Sequence, residues 1–144
     1  MIEEFFPYRR VFHEVFGEIR IPLVRLTLKH VGSITIYAMV DTGAVISLFP
    51  KSVCELIGLK YEDGEETLLV SAAQEKIPIR VHRVTIRIGE IEFKARVGFS
   101  EMEKVPHVLG RLDVLDKVEI RFEKGGIRLI AENNPAGQQS QHLI

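Results

Sequence analysis

The chain contains no tryptophan, one cysteine and no excess of charge of either sign. Each shortage excludes something. Cys54 alone cannot close an internal disulfide, so folding is expected not to depend on an oxidising compartment. The 19 basic and 20 acidic residues leave a formal net charge of -1, with the two signs interspersed. That balance offers no basic field of the kind a nucleic-acid binder sets against phosphates. No apolar run approaches the roughly 20 residues of a membrane-spanning helix, and Met1-Ile2-Glu3-Glu4 is acidic where a secretory signal would be basic. The expectation is a soluble, cytoplasmic protein with neither nucleic acid nor membrane among its partners. What is present suits one folded domain: 144 residues, of which 46% are hydrophobic, enough for a core, and 27% charged.

The apolar residues fall in short runs broken by Gly, Pro and Asp, the pattern of an all-β domain. Ile19, Ile21, Leu23, Leu26 and Leu28 alternate imperfectly around Pro22 and Val24. After the turn-like His30-Val31-Gly32-Ser33, the residues Ile34, Ile36, Ala38 and Val40 alternate into Asp41. A β-hairpin is predicted there. Ala44 to Phe49 reads as a short apolar strand. Pro50 to Gly58 reads as a short helix, with Pro50 in the first turn, Val53, Leu56 and Ile57 on one face, and Gly58 as the left-handed stop. Thr67 to Val70 and Ile77 to Ile88 are predicted strands around the tip Ser71-Ala72-Ala73-Gln74, followed by a strand from Ile91 to Phe99. After the polar loop Ser100 to His107 come a brief strand, Val108-Leu109-Gly110, a second short helix, Arg111 to Lys117, and a closing hairpin from Val118 to Ile130. In the first eighteen residues Phe5, Phe6, Tyr8, Val11, Phe12, Val15 and Phe16 fit a helical face and strand pairing equally well. Residues 1–18 are therefore set apart as an N-terminal extension, 19–131 as the domain, and 132–144, which are polar, as a flexible tail.

Asp41-Thr42-Gly43-Ala44 carries the chemistry. It ends an apolar strand and is followed by Ala44-Val45-Ile46-Ser47-Leu48-Phe49, so the Asp41 carboxylate is expected to be partly withdrawn from water, a setting for shared-proton chemistry. Gly43 allows a tight turn beside it, and the Thr42 hydroxyl can tie that turn to neighbouring backbone. With Phe49-Pro50-Lys51-Ser52-Val53 through Leu56-Ile57-Gly58-Leu59, and with Val108-Leu109-Gly110-Arg111, this motif makes the chain resemble the retropepsin-like aspartic proteases: the retroviral enzymes and their single-domain cellular, bacterial and archaeal relatives. The resemblance covers about Ile19 to Ala131.

The resemblance implies an all-β acid-protease fold, closed and barrel-like, with one or two short helices. It implies an aspartic endopeptidase that needs no cofactor or metal and acts on peptide or protein substrate. Asp41 would be the catalytic residue, with Thr42 and Gly43 shaping its turn. Gly110 and Arg111 would be structural residues near the site, because in the family this element passes close to the catalytic turn. Ala44 and the flap-like tip Ser71, Ala72, Ala73 and Gln74 would contact substrate backbone, and Ile46, Leu109 and Val105 would favour hydrophobic substrate side chains. Such chemistry needs two carboxylates sharing a proton, and the chain has one Asp-Thr-Gly, so a homodimer is expected.

Two departures from the retroviral pattern are visible. Val45 stands where an acidic residue would pair with the equivalent of Arg111, and the flap tip has no glycine. A peptide-binding or dimerisation module without catalysis is the alternative on the same fold. Cys54 reads as a small buried apolar residue. The five histidines show no ligand spacing, and Ser47 has no convergent base.

Overall fold

Branched and aromatic residues at alternate positions drive most of this chain into strands. The computed structural model describes residues 1–132 and 135–136. In chain order its elements are β1 (Ile2–Pro7), β2 (Arg9–His13), β3 (Gly17–Ile21), β4 (Leu23–Lys29), β5 (Ser33–Val40), β6 (Ser47–Pro50), α1 (Lys51–Leu56), β7 (Glu65–Val70), β8 (Lys76–Ile88), β9 (Ile91–Ser100), β10 (Val108–Leu109), β11 (Glu119–Phe122) and β12 (Gly126–Ala131). The main sheet runs β4-β5-β10-β6-β9-β8-β7, and β4 also pairs with β8, which closes the strands from β4 round to β8 into a ring. The all-β expectation holds. No helix among the described residues is long and apolar enough to cross a membrane.

The predicted hairpin forms as β4 and β5 in antiparallel register, with Val24 opposite Ala38, Leu26 opposite Ile36 and Leu28 opposite Ile34. Their inward positions are buried and the intervening ones face outward, as the pleat requires. The strand β8 is long enough to serve two neighbours along one edge. Its first half pairs with β7, and Thr85 to Arg87 pair with β4, while β9 occupies the other edge. Its two faces serve two clusters. Val84, Ile86 and Ile88 join the main core with Phe49, Phe93, Phe99 and Leu109, whereas Ile79 joins a smaller cluster with Ile46, Leu48, Val105 and Val108. Adjacent residues of β6 (Leu48, Phe49) and of β10 (Val108, Leu109) likewise divide between the two.

The ambiguous N-terminal segment is strand. Ile2–Pro7 pairs with β12, forming the three-stranded sheet β1-β12-β11, and β2 and β3 make a separate two-stranded hairpin. Pro22 divides the strand expected from Ile19 to Leu28 into β3 and β4. The helix expected from Pro50 is α1, and Gly58 beyond it has φ 86°, the left-handed stop. The apolar strand expected from Ala44 begins only at Ser47. The tail proposed for 132–144 lies, except for Glu132, Pro135 and Ala136, outside the described residues.

The second helix, expected over Arg111 to Lys117, is only a 3-10 turn, Leu115–Lys117. Asp113 has φ 62°, which ends any right-handed helix at that point. Its carboxylate faces Arg96 on β9 instead: Oδ2 accepts from the Arg96 backbone N–H at 3.0 Å and from Nε at 2.8 Å, and Oδ1 accepts from Nη2 at 3.1 Å. The guanidinium hydrogen bonds hold the Asp113 carboxyl below the usual carboxylate range, against the opposing effect of its burial. A depressed folded-state pKa means that this pair stabilises the fold above the ordinary carboxylate pKa and loses that contribution as pH falls through the folded value. Asp113→Asn should therefore cost about 1–3 kcal/mol at neutral pH. The gap from wild type should close in acid, where the wild-type carboxyl is protonated too. Denaturant melts across this pH range check it; a gap independent of pH would remove the charge from the argument.

Candidate active site

The Asp41 turn is fixed by backbone. The Asp41 N–H donates to the Leu109 carbonyl at 3.0 Å, and the Ala44 N–H donates back to the Asp41 carbonyl at 3.1 Å. The Gly43 N–H donates to Asp41 Oδ1 at 3.0 Å, which orients the carboxylate. A β-carbon at Gly43 would sit 3.3 Å from that same oxygen, so the absence of a side chain keeps the turn tight. Asp41 is half-buried, while Thr42 is exposed to solvent.

Gly110 packs against this turn. A β-carbon there would meet the Ile46 carbonyl carbon at 2.5 Å, the Ile46 oxygen at 2.6 Å and the Ala44 oxygen at 2.9 Å, all of them backbone. Its N–H donates to the buried Ser47 Oγ at 3.0 Å. The next two N–H groups, of Arg111 and Leu112, donate to the carbonyls of Ala44 at 2.9 Å and Val45 at 2.8 Å. Ser47 is thus a positioning group, with its hydroxyl accepting from Gly110. That role was missed in the sequence; the signal available was a lone hydroxyl within an otherwise apolar strand. Arg111 finds its ionic partner in Asp116, Nε to Oδ1 at 3.0 Å, with both side chains more than half exposed. The residue at Val45 takes no part in that pair, and its side chain is exposed.

A groove of about 420 Å³ opens beside Asp41. The turn contributes Asp41, Gly43, Ala44, Val45 and Ile46; the hairpin of β7 and β8 contributes Leu69, Val70, Ser71, Ala72 and Ile77; and Val105, Pro106 and Val108, with Leu48, supply the rest. Asp41 is the one ionisable side chain in that lining. The loop carrying Val105 and Pro106 is tied to α1 through Glu103, which accepts from Ser52 N–H at 3.2 Å and from Ser52 Oγ at 2.7 Å. Of the residues singled out in the sequence, Asp41, Gly43, Ala44, Ile46, Ser71, Ala72 and Val105 come together on the groove. Thr42, Ala73 and Gln74 are not in its lining, and Leu109 is wholly buried in the main core, with its neighbour Val108 facing the groove instead.

The tip Ser71 to Gln74 closes without glycine. Ser71 N–H donates to the Glu75 carbonyl and Gln74 N–H to the Ser71 carbonyl, each at 2.9 Å, and Gln74 takes the left-handed conformation at φ 65°. Cys54 is buried on α1, and burial above all, then the charges of Glu55 and Glu62, pushes its thiol up to about 11, which keeps it protonated and unreactive near neutral pH. Among the histidines, His82 is buried with Nε2 3.1 Å from the Tyr61 carbonyl, and His107 Nδ1 lies 3.2 Å from the Tyr37 carbonyl; both are tied to backbone.

Comparison with known proteins agrees with this geometry. The sequence model of the family described as aspartyl protease matches residues 25–111, which include the Asp41 turn and Gly110-Arg111. The DNA damage-inducible protein 1 of Yarrowia lipolytica is 34% identical over 82 residues, 56% of this chain and 20% of that relative, so the chain spans a small part of that protein's length. A retropepsin-like aspartic protease from Rickettsia conorii superposes with a TM-score of 0.58 at 19% identity, over 90% of this chain and 98% of that one. EIAV protease, solved in complex with the inhibitor HBY-793, superposes with a TM-score of 0.53 at 17% identity, over 74% of this chain and 92% of that one. At these identities the two structures establish the fold, which is retropepsin-like.

Gly110→Ala tests the contact between the two halves of the site. The new methyl meets rigid backbone on two sides, so the substitution should destabilise the protein by about 1–3 kcal/mol or more. A variant that melts with the wild type would show that the chain relaxes around a methyl there.

Proposed function

The chain belongs to the aspartyl protease family, and from that premise we propose that it is an aspartic endopeptidase whose site forms between two copies, each supplying Asp41. The observation that carries this reading is a single, half-buried carboxylate in a groove whose other lining side chains carry no ionisable group. Two such carboxylates brought face to face cannot both ionise readily, so they share one proton. The ionised one takes a proton from a water as the water oxygen bonds to the peptide carbonyl carbon, and the protonated one donates to the carbonyl oxygen. The tetrahedral adduct then collapses: the C–N bond breaks, the leaving amine takes its proton from the carboxyl that received it from water, and a hydroxyl of the adduct returns its proton to the other carboxylate, which restores the shared proton. Water is the only co-reactant that this chemistry needs.

The surface around the turn suits the pairing. Thr42, Gly43 and Val45 are exposed beside Asp41, leaving room for a second copy to approach. Gly110 and Arg111 act as structural residues that hold Ala44 and Val45 in place. The apolar lining, Ile46, Leu48, Ile77, Val105 and Val108, suits hydrophobic substrate side chains, and Ala44 with the Ser71–Ala72 tip lies where it can contact the backbone of an extended peptide. A cytoplasmic setting belongs to the same reading, because the one thiol is buried and no disulfide is needed.

Asp41→Asn keeps the shape of the side chain but cannot take the proton. It should abolish cleavage of a peptide library while leaving the melting temperature near wild type. Mixed with an equal amount of wild-type chains and allowed to exchange, it should reduce activity to about a quarter of an undiluted wild-type sample, because random pairing leaves about a quarter of the dimers intact. Differently tagged chains verify exchange. A value of about one half after full exchange would mean that one chain suffices and would overturn the shared site. A wild type that binds a hydroxyl-bearing transition-state mimic but cleaves nothing would favour a peptide clamp instead.

A further inference from the structure

We propose that the hairpin of β2 and β3 is an arm that grips a second copy of this chain, its apolar tip packing on that copy near the Asp41 turn. The choice of occupant rests on the two-copy site proposed above. The hairpin is rooted at that site. Pro22, which ends it, accepts a hydrogen bond from the Val40 N–H at 2.9 Å, one residue before Asp41, and Leu23 pairs with Met39. At its base the Arg9 guanidinium lies over the Tyr37 ring at 5.3 Å, and Arg20 Nη1 donates to the Lys124 carbonyl at 3.0 Å. Beyond the base, every residue of β2 is exposed.

The tip is largely apolar, with Glu14 the exposed charge in its turn. Phe12 is 80% exposed, Val15 78% and Phe16 74%, the greatest concentration of exposed large apolar side chains in one short segment of the described chain. His13 Nδ1 accepts from both the Val15 N–H at 3.0 Å and the Phe16 N–H at 3.3 Å, and the His13 ring stacks on Phe16 with centroids 4.6 Å apart. A two-stranded hairpin standing in water is marginal by itself. In this one Phe16 is already stacked on His13, so less of its side-chain freedom remains to be lost on binding. Arg10, Glu18 and Arg20 form a charged ladder, with Arg10 and Arg20 at 3.6 and 3.7 Å from Glu18, the residue opposite Phe12 in the hairpin register.

A second copy is the occupant that the site itself requires. In the two-copy reading, a two-fold axis through the Asp41 turns would bring the base of each arm, bonded one residue before Asp41, close to the other copy, and the same contact would be made twice. Aromatic anchors at such a contact carry much of the binding energy.

The test uses the full chain with Phe12→Asp and Phe16→Asp together, and separately Val15→Glu, a loop position outside the strand pairing. Sedimentation velocity over a concentration series reads the monomer–dimer midpoint, circular dichroism and melting confirm the fold, and peptide cleavage is measured on the same samples. The expected result is a midpoint raised about ten-fold or more, with activity per dimer back at the wild-type value once the concentration refills the dimer. Folded variants with a midpoint within two-fold of wild type would overturn the proposal, as would a wild type that stays monomeric throughout. Variants that keep the dimer but lose binding to anionic lipid vesicles would also overturn it, giving the tip a membrane as occupant. A wild type that dimerises through the arm yet cleaves no peptide would leave the arm standing and remove the catalytic reading.

Discussion

The two-residue strand β10 lies between β5 and β6, parallel to the first and antiparallel to the second, and the geometry around Asp41 depends on that insertion. Val108 and Leu109 bring the carbonyl that accepts from Asp41 N–H, and Gly110 follows directly against the backbone of Ala44 and Ile46. The contact joins residues about seventy positions apart, so the shape of the turn depends on tertiary contacts as well as on its own residues. Local propensity does not encode such a site. It is a product of topology, and anything that loosens β10 loosens the carboxylate with it.

Because the strands near the groove divide their side chains between two clusters, groove and core share walls. Phe49 and Leu109 fill the main core while Leu48 and Val108 line the groove from the same strands. A wall backed by packed side chains has little freedom to deform, so the groove beside Asp41 keeps its shape. The same arrangement leaves Asp41 among apolar neighbours on the groove side and hydrogen-bonded backbone on the other.

This two-sided burial also explains where sequence reasoning stopped short. The hairpin of β4 and β5 was legible because one face is apolar and the other polar, and α1 was legible from Pro50 and Gly58 at its ends. In β10 both faces are apolar, and alternation across two residues cannot tell which one meets the groove; Leu109 was chosen where Val108 lines it. The strand at Ser47 is buried throughout, so its hydroxyl gave no sign that it would accept from Gly110. The expected helix from Arg111 failed for a tertiary reason, since the Asp113 carboxylate reaches Arg96 on a strand and the backbone turns left-handed to allow it. In the first eighteen residues the apolar spacing suited either structure, and pairing decided it, of β1 with β12 more than a hundred residues away and of β2 with β3 beside it.

The substitution of an apolar residue at Val45 follows from the same redistribution. In the retroviral pattern an acidic side chain there would hold the arginine after the glycine. Here the backbone does the holding, with Arg111 and Leu112 N–H groups bonded to the Ala44 and Val45 carbonyls. The exposed pair of Arg111 with Asp116 adds little, as surface ion pairs do. The better-buried pair is Arg96 with Asp113, a bidentate contact two residues further along, with the Asp113 side chain only 13% exposed. It fastens the segment after Gly110 to β9, while Glu103 fastens the groove wall to α1. With the segments beside the turn secured by Arg96 and Glu103, the site is held without a charge at position 45, and Val45 stands exposed beside Asp41.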